Sequence, residues 1–133
     1  MIAVDYGMLS VSGAEPEDAK YLAELLRPAD LREMRVSFPD LDPIKVFGIG
    51  MEFSKPFART IKDQQEPIAM FGLVPTIMEG KKTGVVWLLG TERIKANRMR
   101  FLRLTSYWIK RLMEETGAQQ LFTQADSRNK EHI

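Results

Sequence analysis

The chain has 133 residues and a net charge of +1, from 19 basic and 18 acidic side chains, so its overall charge gives no argument for nucleic-acid binding. It contains no cysteine, which excludes disulfides, a thiol nucleophile and cysteine zinc sites and is compatible with a reducing compartment. The length predicts one domain with a single core, and a composition of 44% hydrophobic and 28% charged residues is ordinary for a globular protein.

Neither a membrane segment nor a metal site is predicted. The longest apolar runs are much shorter than a bilayer span, and the N-terminus has no basic region of the kind that begins a signal peptide. His132 is the only histidine, and no dense acidic loop is present, so no metal-ligand spacing exists. Because His132 is the penultimate residue, we interpret it as part of a solvated tail rather than as a general base.

The first half of the chain predicts one strand and three helices. The strand lies within residues 1–14. The first helix opens at 15–18, where a proline in the first turn and three acids suit the positive end of the helix dipole. The second helix restarts at Pro28. The third begins with Asp42 as N-cap and Pro43 at the first helical position, which is the clearest local signal in the chain.

Apolar side chains at helical spacing predict the buried faces of these helices. They are Ala19, Leu22, Leu25 and Leu26 in the first, Leu31 and Met34 in the second, and Ile44, Phe47 and Met51 in the third. Gly48 and Gly50 weaken the third helix. They mark either close packing against another backbone or a marginal helix near a mobile site, and the sequence leaves both interpretations open.

An antiparallel meander is predicted after the third helix, where the apolar period changes to two. Alternation over residues 57–62 predicts an edge-like strand, and a second strand is predicted over 67–74, where Pro75 ends it. Residues 77–83 are polar and contain glycine, which predicts a loop.

The last part of the chain predicts a strand, a helix and a second strand. The continuous apolar run 85–89 predicts a strand buried on both faces. A basic turn with Arg93, Lys95, Arg98 and Arg100 leads into the helix. The apolar face of the helix is formed by Phe101, Leu104, Trp108 and Leu112. Gly117 is its C-cap, and 121–125 predicts a strand parallel to the first, reached by a right-handed crossover. The fold class is therefore α/β, with a mixed sheet and helices on both faces.

Basic residues crowd the N-terminus of this last helix. They are Arg93, Lys95, Arg98, Arg100 and Arg103. Positive side chains at a helix N-terminus oppose the dipole, so an anionic ligand would account for them. Pairing with acids such as Glu92 or those of 15–33 would also account for them, and both interpretations stay open. Nucleic acid is not favoured, because Phe101 and Trp108 belong to the buried face.

This order of elements resembles the GNAT acetyltransferase fold. The strings PIAMFGLVP, VVWLLGT, RMRFLR and ADSRNKEHI are similar to those of a phage-encoded GNAT-like group, which includes the small internal-core or morphogenesis protein of short-tailed phages. The resemblance covers the chain from about Glu15 to Ile133. In the GNAT family the pyrophosphate of acetyl-CoA lies on the N-terminus of the crossover helix, and the pantetheine arm lies where the fourth and fifth strands splay apart.

The resemblance implies an acetyl-CoA site at this end of the sheet. Its residues would be Leu89, Arg93, Lys95, Arg98, Arg100 and Asn129. In GNAT enzymes an asparagine near Asn129 can touch the cofactor arm, whereas the structural alternative is that Asp126, Ser127 and Asn129 cap the next helix. The catalytic residues stay unassigned. The candidate bases are Glu52, Glu66, Glu79 and Glu92, and Tyr107 is a candidate acid.

Two features depart from the family pattern. Active members carry Q/R-x-x-G-x-G/A before the crossover helix, whereas the segment 93–98 has no glycine and leaves the backbone less room to approach a phosphate. Arginine side chains could bind the phosphates instead. The family also continues with another helix and at least one more strand, so we expect residues 1–133 to form a single GNAT-like domain that lacks those elements.

The function expected from these features is that of a phage GNAT-fold protein with a degenerate acetyl-CoA loop. It would have a non-catalytic role in virion assembly, in the internal core or in protein interaction. Its partner would be a virion or host protein, and its location the host cytoplasm or the virion. The alternative is an acyl-CoA-dependent N-acyltransferase whose arginines hold the CoA pyrophosphate. The acceptor, the partner's identity and the oligomeric state are not determined by the sequence.

Overall fold

The structure is a computed structural model, and it describes residues 9–123. Within that range the strands are β1 (Leu9–Gly13), β2 (Ala58–Asp63), β3 (Glu66–Met78), β4 (Lys81–Gly90) and β5 (Gln120–Thr123). The helices are α1 (Pro16–Glu24), α2 (Pro28–Ser37), α3 (Pro43–Ser54) and α4 (Arg98–Thr116). A 3₁₀ helix, Glu92–Asn97, joins β4 to α4.

The five strands form one mixed sheet in the order β1-β2-β3-β4-β5. The first three neighbouring pairs are antiparallel, whereas β4 and β5 are parallel, with Thr83–Val86 paired to Gln120–Thr123. This confirms the predicted α/β fold with a mixed sheet. The part of the predicted last strand that includes Ala125 lies outside the described residues.

Helices cover both faces of the sheet, as the sequence predicts. On one face, the buried stripe of α4 packs on β1, β2 and β3. All four side chains predicted for that stripe are buried: Phe101, Leu104, Trp108 and Leu112. On the other face, α1 and α3 enclose a smaller cluster that includes Leu22, Phe47 and Met70. Gly117 ends α4 in the left-handed conformation with φ of 75°, which confirms it as the C-cap.

The meander is longer and lies further inside the sheet than predicted. β2 is not an edge strand, because β1 pairs with it along its full length. The predicted loop 77–83 is instead strand on both sides of a two-residue turn, Glu79-Gly80. Pro75 does not end β3. Its nitrogen points towards β2, as does the N–H of Leu73 two residues earlier. Leu73 N donates to Phe57 O, just before the start of β2, so β2 offers no partner to the nitrogen of Pro75. A proline beyond that point costs no ladder hydrogen bond.

The strand buried on both faces is β3 rather than β4. Residues 68–73 are buried without interruption, whereas residues 85–89 are all half-buried, which corrects the sequence prediction. The physical reason is position: β3 is the middle strand of the five and is covered by α4 on one side and by α1 and α3 on the other. A continuous apolar run therefore did not identify the most buried strand.

The structure also decides how the helices use their apolar residues and glycines. Leu25 is exposed, because α1 ends at Glu24 and the chain turns away from the helical face. A Cβ added to Gly50 would lie 3.0 Å from the indole ring of Trp87, whereas a Cβ added to Gly48 would have no neighbouring atom within 4 Å. Gly50 thus marks close packing, and Gly48 does not. Asp42 is the N-cap residue of α3, but its side chain makes no cap hydrogen bond.

Candidate functional site

The joint between β4 and α4 is a 3₁₀ helix instead of an open turn. Arg98 and Arg100, which the sequence placed in the turn, lie in the first turn of α4. In a 3₁₀ helix each backbone N–H donates to the carbonyl three residues earlier. The first such bond joins Ile94 N to Thr91 O at 3.2 Å. The N–H groups from Ile94 onward are therefore bonded within the segment, whereas a glycine-rich phosphate loop presents its amides to the ligand.

The side chains of the 3₁₀ helix attach it to the β2–β3 hairpin. Arg93 donates to the carboxylates of Glu66 and Asp63, and Asn97 Nδ2 donates to the same Asp63 at 3.2 Å. Lys95 Nζ lies 2.8 Å from Glu92 Oε2. Two of the basic residues carried over from the family therefore pair with acids of this chain, as the structural interpretation of the cluster expected.

The end of β4 is fixed from the opposite side by the α1–α2 junction. Gly90 N donates to Asp30 Oδ2 at 2.8 Å, and Gly90 O accepts from Arg27 N at 2.8 Å. Arg27 and Asp30 form a buried ion pair in which Nε and Nη2 each reach a carboxylate oxygen at 3.0 Å. Thr91 N then donates to Ile68 O at 2.9 Å. Both residues that precede the 3₁₀ helix are thus held in place by hydrogen bonds.

Ile94 closes the remaining space at this joint. Its side chain is 6% exposed and belongs to the main core. A side chain at position 90 would clash with Cδ1 of Ile94 and would also approach Cβ of Ala69 at 3.3 Å. The room that glycine leaves at the end of β4 is therefore filled by a residue of the 3₁₀ helix and is not open to a ligand.

The exposed cations of α4 are a different group. Arg98, Arg100 and Arg103 are exposed, and none forms an ion pair within residues 9–123. Arg98 and Arg100 are two positions apart, so their side chains leave different sides of the helix. Arg100 and Arg103 are three apart and share a side. Arg98 and Arg100 are therefore not placed to bind the same diphosphate from one side of the helix.

The other residues of the implied cofactor site lie on the preceding strand or outside the described residues. Leu89 is half-buried near the end of β4 and packs on the face covered by α1 and α3. Asn129 lies outside the described residues, as do Asp126, Ser127 and His132. The cofactor role of Leu89 and Asn129 therefore stays a prediction.

The candidate acids and bases do not converge either. Glu66 accepts from Arg93 and Glu92 pairs with Lys95, so both are occupied at the joint. Glu79 is at the tip of the β3–β4 hairpin, and Glu52 is exposed on α3. Tyr107 is 42% exposed on α4. It lies nine residues after Arg98, which places it roughly 14 Å along the helix from the joint.

Residues 9–123 contain neither a membrane-spanning helix nor a cluster of potential metal ligands. No helix between residues 9 and 123 is long and apolar enough to cross a membrane. The same part of the chain holds no group of three or more His, Cys, Asp or Glu side chains that could bind a metal ion.

Burial lowers the pKa of Arg59, while the charge of Glu115 opposes this shift and that of Arg111 adds to it. The Arg59 guanidinium lies 5.5 Å from the ring centroid of Trp108. Arg59 is thus part of the packing under α4.

The sequence did not single out the acids that organise the joint. The segment 63–66 predicts only a turn, although Asp63 accepts hydrogen bonds from both Arg93 and Asn97. Asp30 belongs to the predicted start of the second helix, with no further role predicted for it, although it is fully buried. The available signal for Asp30 was its spacing of three from Arg27, which suits an ion pair within one helical turn. No local signal connects Asp63 to residues about 30 positions later.

Comparison with known proteins supports the fold. No family model and no curated protein sequence matches the chain. Three similar solved structures are acetyltransferases. A possible acetyltransferase from Clostridium difficile 630 has a TM-score of 0.62 at 10% identity, with 95% of this chain and 85% of that chain covered. A predicted acetyltransferase from Clostridium acetobutylicum, solved with acetyl-CoA, has a TM-score of 0.59 at 11% identity, with 92% and 84% covered.

The third is the ribosomal-protein-S5-alanine acetyltransferase from Vibrio fischeri, with a TM-score of 0.59 at 11% identity. The match covers 99% of this chain and 78% of that chain. At such low identity the likeness is informative about the fold alone. The chain therefore has the GNAT-like fold that its order of elements predicted.

Proposed function

We propose that this chain uses a GNAT-like scaffold for protein–protein interaction rather than for acyl transfer, as a phage protein that serves virion assembly or the internal core. The observation that supports the non-catalytic role is the 3₁₀ helix between β4 and α4. It lies between β4 and the crossover helix, where the family has its phosphate loop, and its N–H groups from Ile94 onward are bonded within the helix. Its partner is a virion or host protein, and it acts in the host cytoplasm or inside the particle.

The backbone of the joint does not fit the diphosphate of acetyl-CoA. A phosphate cradle needs free N–H groups and an approach unobstructed by side chains. Here Ile94 fills the space beside Gly90, and Arg93 and Asn97 fasten the segment to Asp63. A bound diphosphate would have to displace these contacts or lie outside them.

One observation favours the alternative of an acyl-CoA-dependent N-acyltransferase. Arg98 and Arg100 are exposed at the start of the crossover helix and pair with no acid in residues 9–123. Guanidinium groups bind phosphate oxygens well. The Clostridium acetobutylicum neighbour was solved with acetyl-CoA. In this alternative, side chains alone hold the pyrophosphate.

Calorimetric titration of the purified chain with acetyl-CoA decides between the two functions, with desulfo-CoA and ATP as controls. We expect no saturable heat up to millimolar cofactor. Saturable micromolar binding that is lost in Arg98→Ala but kept in Arg35→Ala, an exposed arginine on α2, would overturn the non-catalytic proposal. Recovery of the tagged chain within purified virions is the matching positive test, and its absence from them would contradict the assembly role.

A further inference from the structure

The outward side of α4 is a second, exposed face of that helix. Met99 is 63% exposed, Leu102 46% and Tyr107 42%. On a helical wheel Met99 lies opposite the stripe that packs on the sheet, whereas Leu102 and Tyr107 lie on the two flanks of this outward side. Five side chains line a shallow groove there: Leu102, Arg103, Ser106, Tyr107 and Lys110. Together with Met99 they form what we call the outer α4 face.

Most of the charges around this face are positive, although the exposed Glu114 follows one turn after Lys110. Between Arg93 and Met113 the sequence has seven cations and no acid. Arg100, Arg103 and Lys110 make no ion pair within residues 9–123. Cations at the N-terminal half of a helix also oppose its dipole, so they do not stabilise the helix itself. Lys110 and Arg103 lie next to Met99 on the wheel, so the apolar strip of Met99 and Leu102 has cations along one edge and matches a partner with apolar anchors beside carboxylates.

We propose that the outer α4 face binds an acidic amphipathic segment of a partner protein, with Met99 and Leu102 contacting its apolar side and Arg103 and Lys110 its carboxylates. This inference rests on the proposed interaction role and specifies the surface and the chemistry of the partner. A helix laid along a groove with apolar residues at helical spacing is a recurrent mode of peptide recognition.

Charge also argues against other occupants. A second copy of the chain that docked through the same face would bring cations against cations, because a two-fold interface pairs a patch with itself. Nucleic acid would use the cations but would leave Met99 and Leu102 without apolar contacts. An acidic protein segment uses both parts of the face.

Two synthetic helical peptides of about 20 residues test the proposal, because they can share one apolar stripe of Leu and Met while their flanks carry either Glu or Lys. The full chain, labelled with ¹⁵N, is titrated with each peptide. We expect saturable amide shifts at Leu102, Ser106 and Tyr107 with the Glu peptide and none with the Lys peptide. Equal shifts with both peptides, or none with either up to millimolar concentration, would overturn the proposal.

Charge reversal on the outer α4 face should exchange the preference between the two peptides, a result that a misfolded variant would not give. Arg103→Glu with Lys110→Glu should weaken the Glu peptide about tenfold or more and make the Lys peptide the tighter ligand. Lys45→Glu, an exposed change on α3, should leave both affinities unchanged. Loss of both peptides' binding in the reversed variant, with its folded spectrum retained, would contradict a charge-selective surface.

Binding of lipid, nucleic acid or a second copy of the chain would each give a different result, and so would acetyl-CoA binding at the joint. Equal shifts on the same face with phosphatidylglycerol vesicles or single-stranded DNA would overturn the assignment to a protein segment. Doubling of the molecular mass in ultracentrifugation, abolished by Leu102→Glu, would overturn it in favour of self-association. Acetyl-CoA shifts confined to residues 92–98 would refute the non-catalytic role while leaving the peptide result on the outer α4 face intact.

Discussion

Replacing Asp30 tests how firmly the end of β4 is held. The carboxylate is 0% exposed and accepts two hydrogen bonds from Arg27 at 3.0 Å and one from Gly90 N at 2.8 Å. Asp30→Ala removes the acceptor of all three bonds while the guanidinium stays buried. Breaking a buried ion pair from one side costs about 3 to 5 kcal/mol, a range that includes the cost of an unsatisfied N–H.

This loss is measurable by urea unfolding. A domain of this size has a total stability of about 5 to 15 kcal/mol, so the variant would lose about a fifth of it or more. With a slope of about 2 kcal/mol per molar urea, the unfolding midpoint should fall by about 2 M. Fluorescence of Trp87 and Trp108 reports the transition. The matched control is Asp40→Ala, an exposed aspartate, whose stability should change by less than about 0.5 kcal/mol.

A loss below about 1 kcal/mol for Asp30→Ala would refute this reasoning, since the cost of desolvating the pair would then cancel its interactions. The double variant Arg27→Met with Asp30→Leu separates the charge effect from the backbone effect. It removes both buried charges, so it should be more stable than Asp30→Ala. The N–H of Gly90 still lacks its acceptor, so a deficit of about 1 to 3 kcal/mol should remain.

Four further changes have signs that the structure determines. Gly48→Ala should stabilise α3 by about 1 kcal/mol, because alanine is the better helix former and the site is open. Gly50→Ala should instead destabilise the chain by about 1 kcal/mol, because its Cβ would press on the indole of Trp87. Gln65→Gly should stabilise by about 0.5 to 1 kcal/mol, since position 65 has φ of 71° in the β2–β3 turn. Arg93→Ala should cost up to about 1 kcal/mol at low salt and less in 1 M NaCl, as its pairs with acids are partly exposed.

Urea midpoints of matched variants check these signs. Equal midpoint shifts for Gly48→Ala and Gly50→Ala would show that the ring of Trp87 moves aside at no cost in stability, which would contradict the predicted clash. Gln119→Gly is the control for the turn, because that position needs no positive φ, and a gain there equal to that of Gln65→Gly would contradict the strain argument. An effect of Arg93→Ala that does not change with salt would contradict an electrostatic attachment of the 3₁₀ helix.

Local patterns in the sequence were sufficient for most of the fold. Proline in the first turn placed the starts of α1, α2 and α3, and the apolar spacing of α4 identified its buried stripe. Glycine at position 117 ended α4 where expected. These signals succeed because they express backbone preferences and periodicity, which a residue carries wherever the chain folds.

Strand boundaries and burial could not be obtained in this way. Pro75 looked like a strand end, but whether a proline interrupts a sheet depends on which neighbour its nitrogen would face. The apolar run 85–89 looked like the most buried strand, but burial depends on how many layers cover it, and β3 is the central strand. Both are properties of the sheet, which no short window of sequence contains.

The sequence by itself determined the GNAT-like order of elements and the concentration of positive charge around α4. Only the tertiary structure decided what each cation does. Arg93 pairs with Asp63 and Glu66 on the β2–β3 hairpin, which is distant in sequence, whereas Arg103 and Lys110 lie on the solvent side of the helix. A charge acts through whichever opposite charge lies within a few ångströms, and for Arg93 that distance is set by the folding of residues 27 to 30 positions away. The cofactor role of Arg98 and Arg100 remains a prediction.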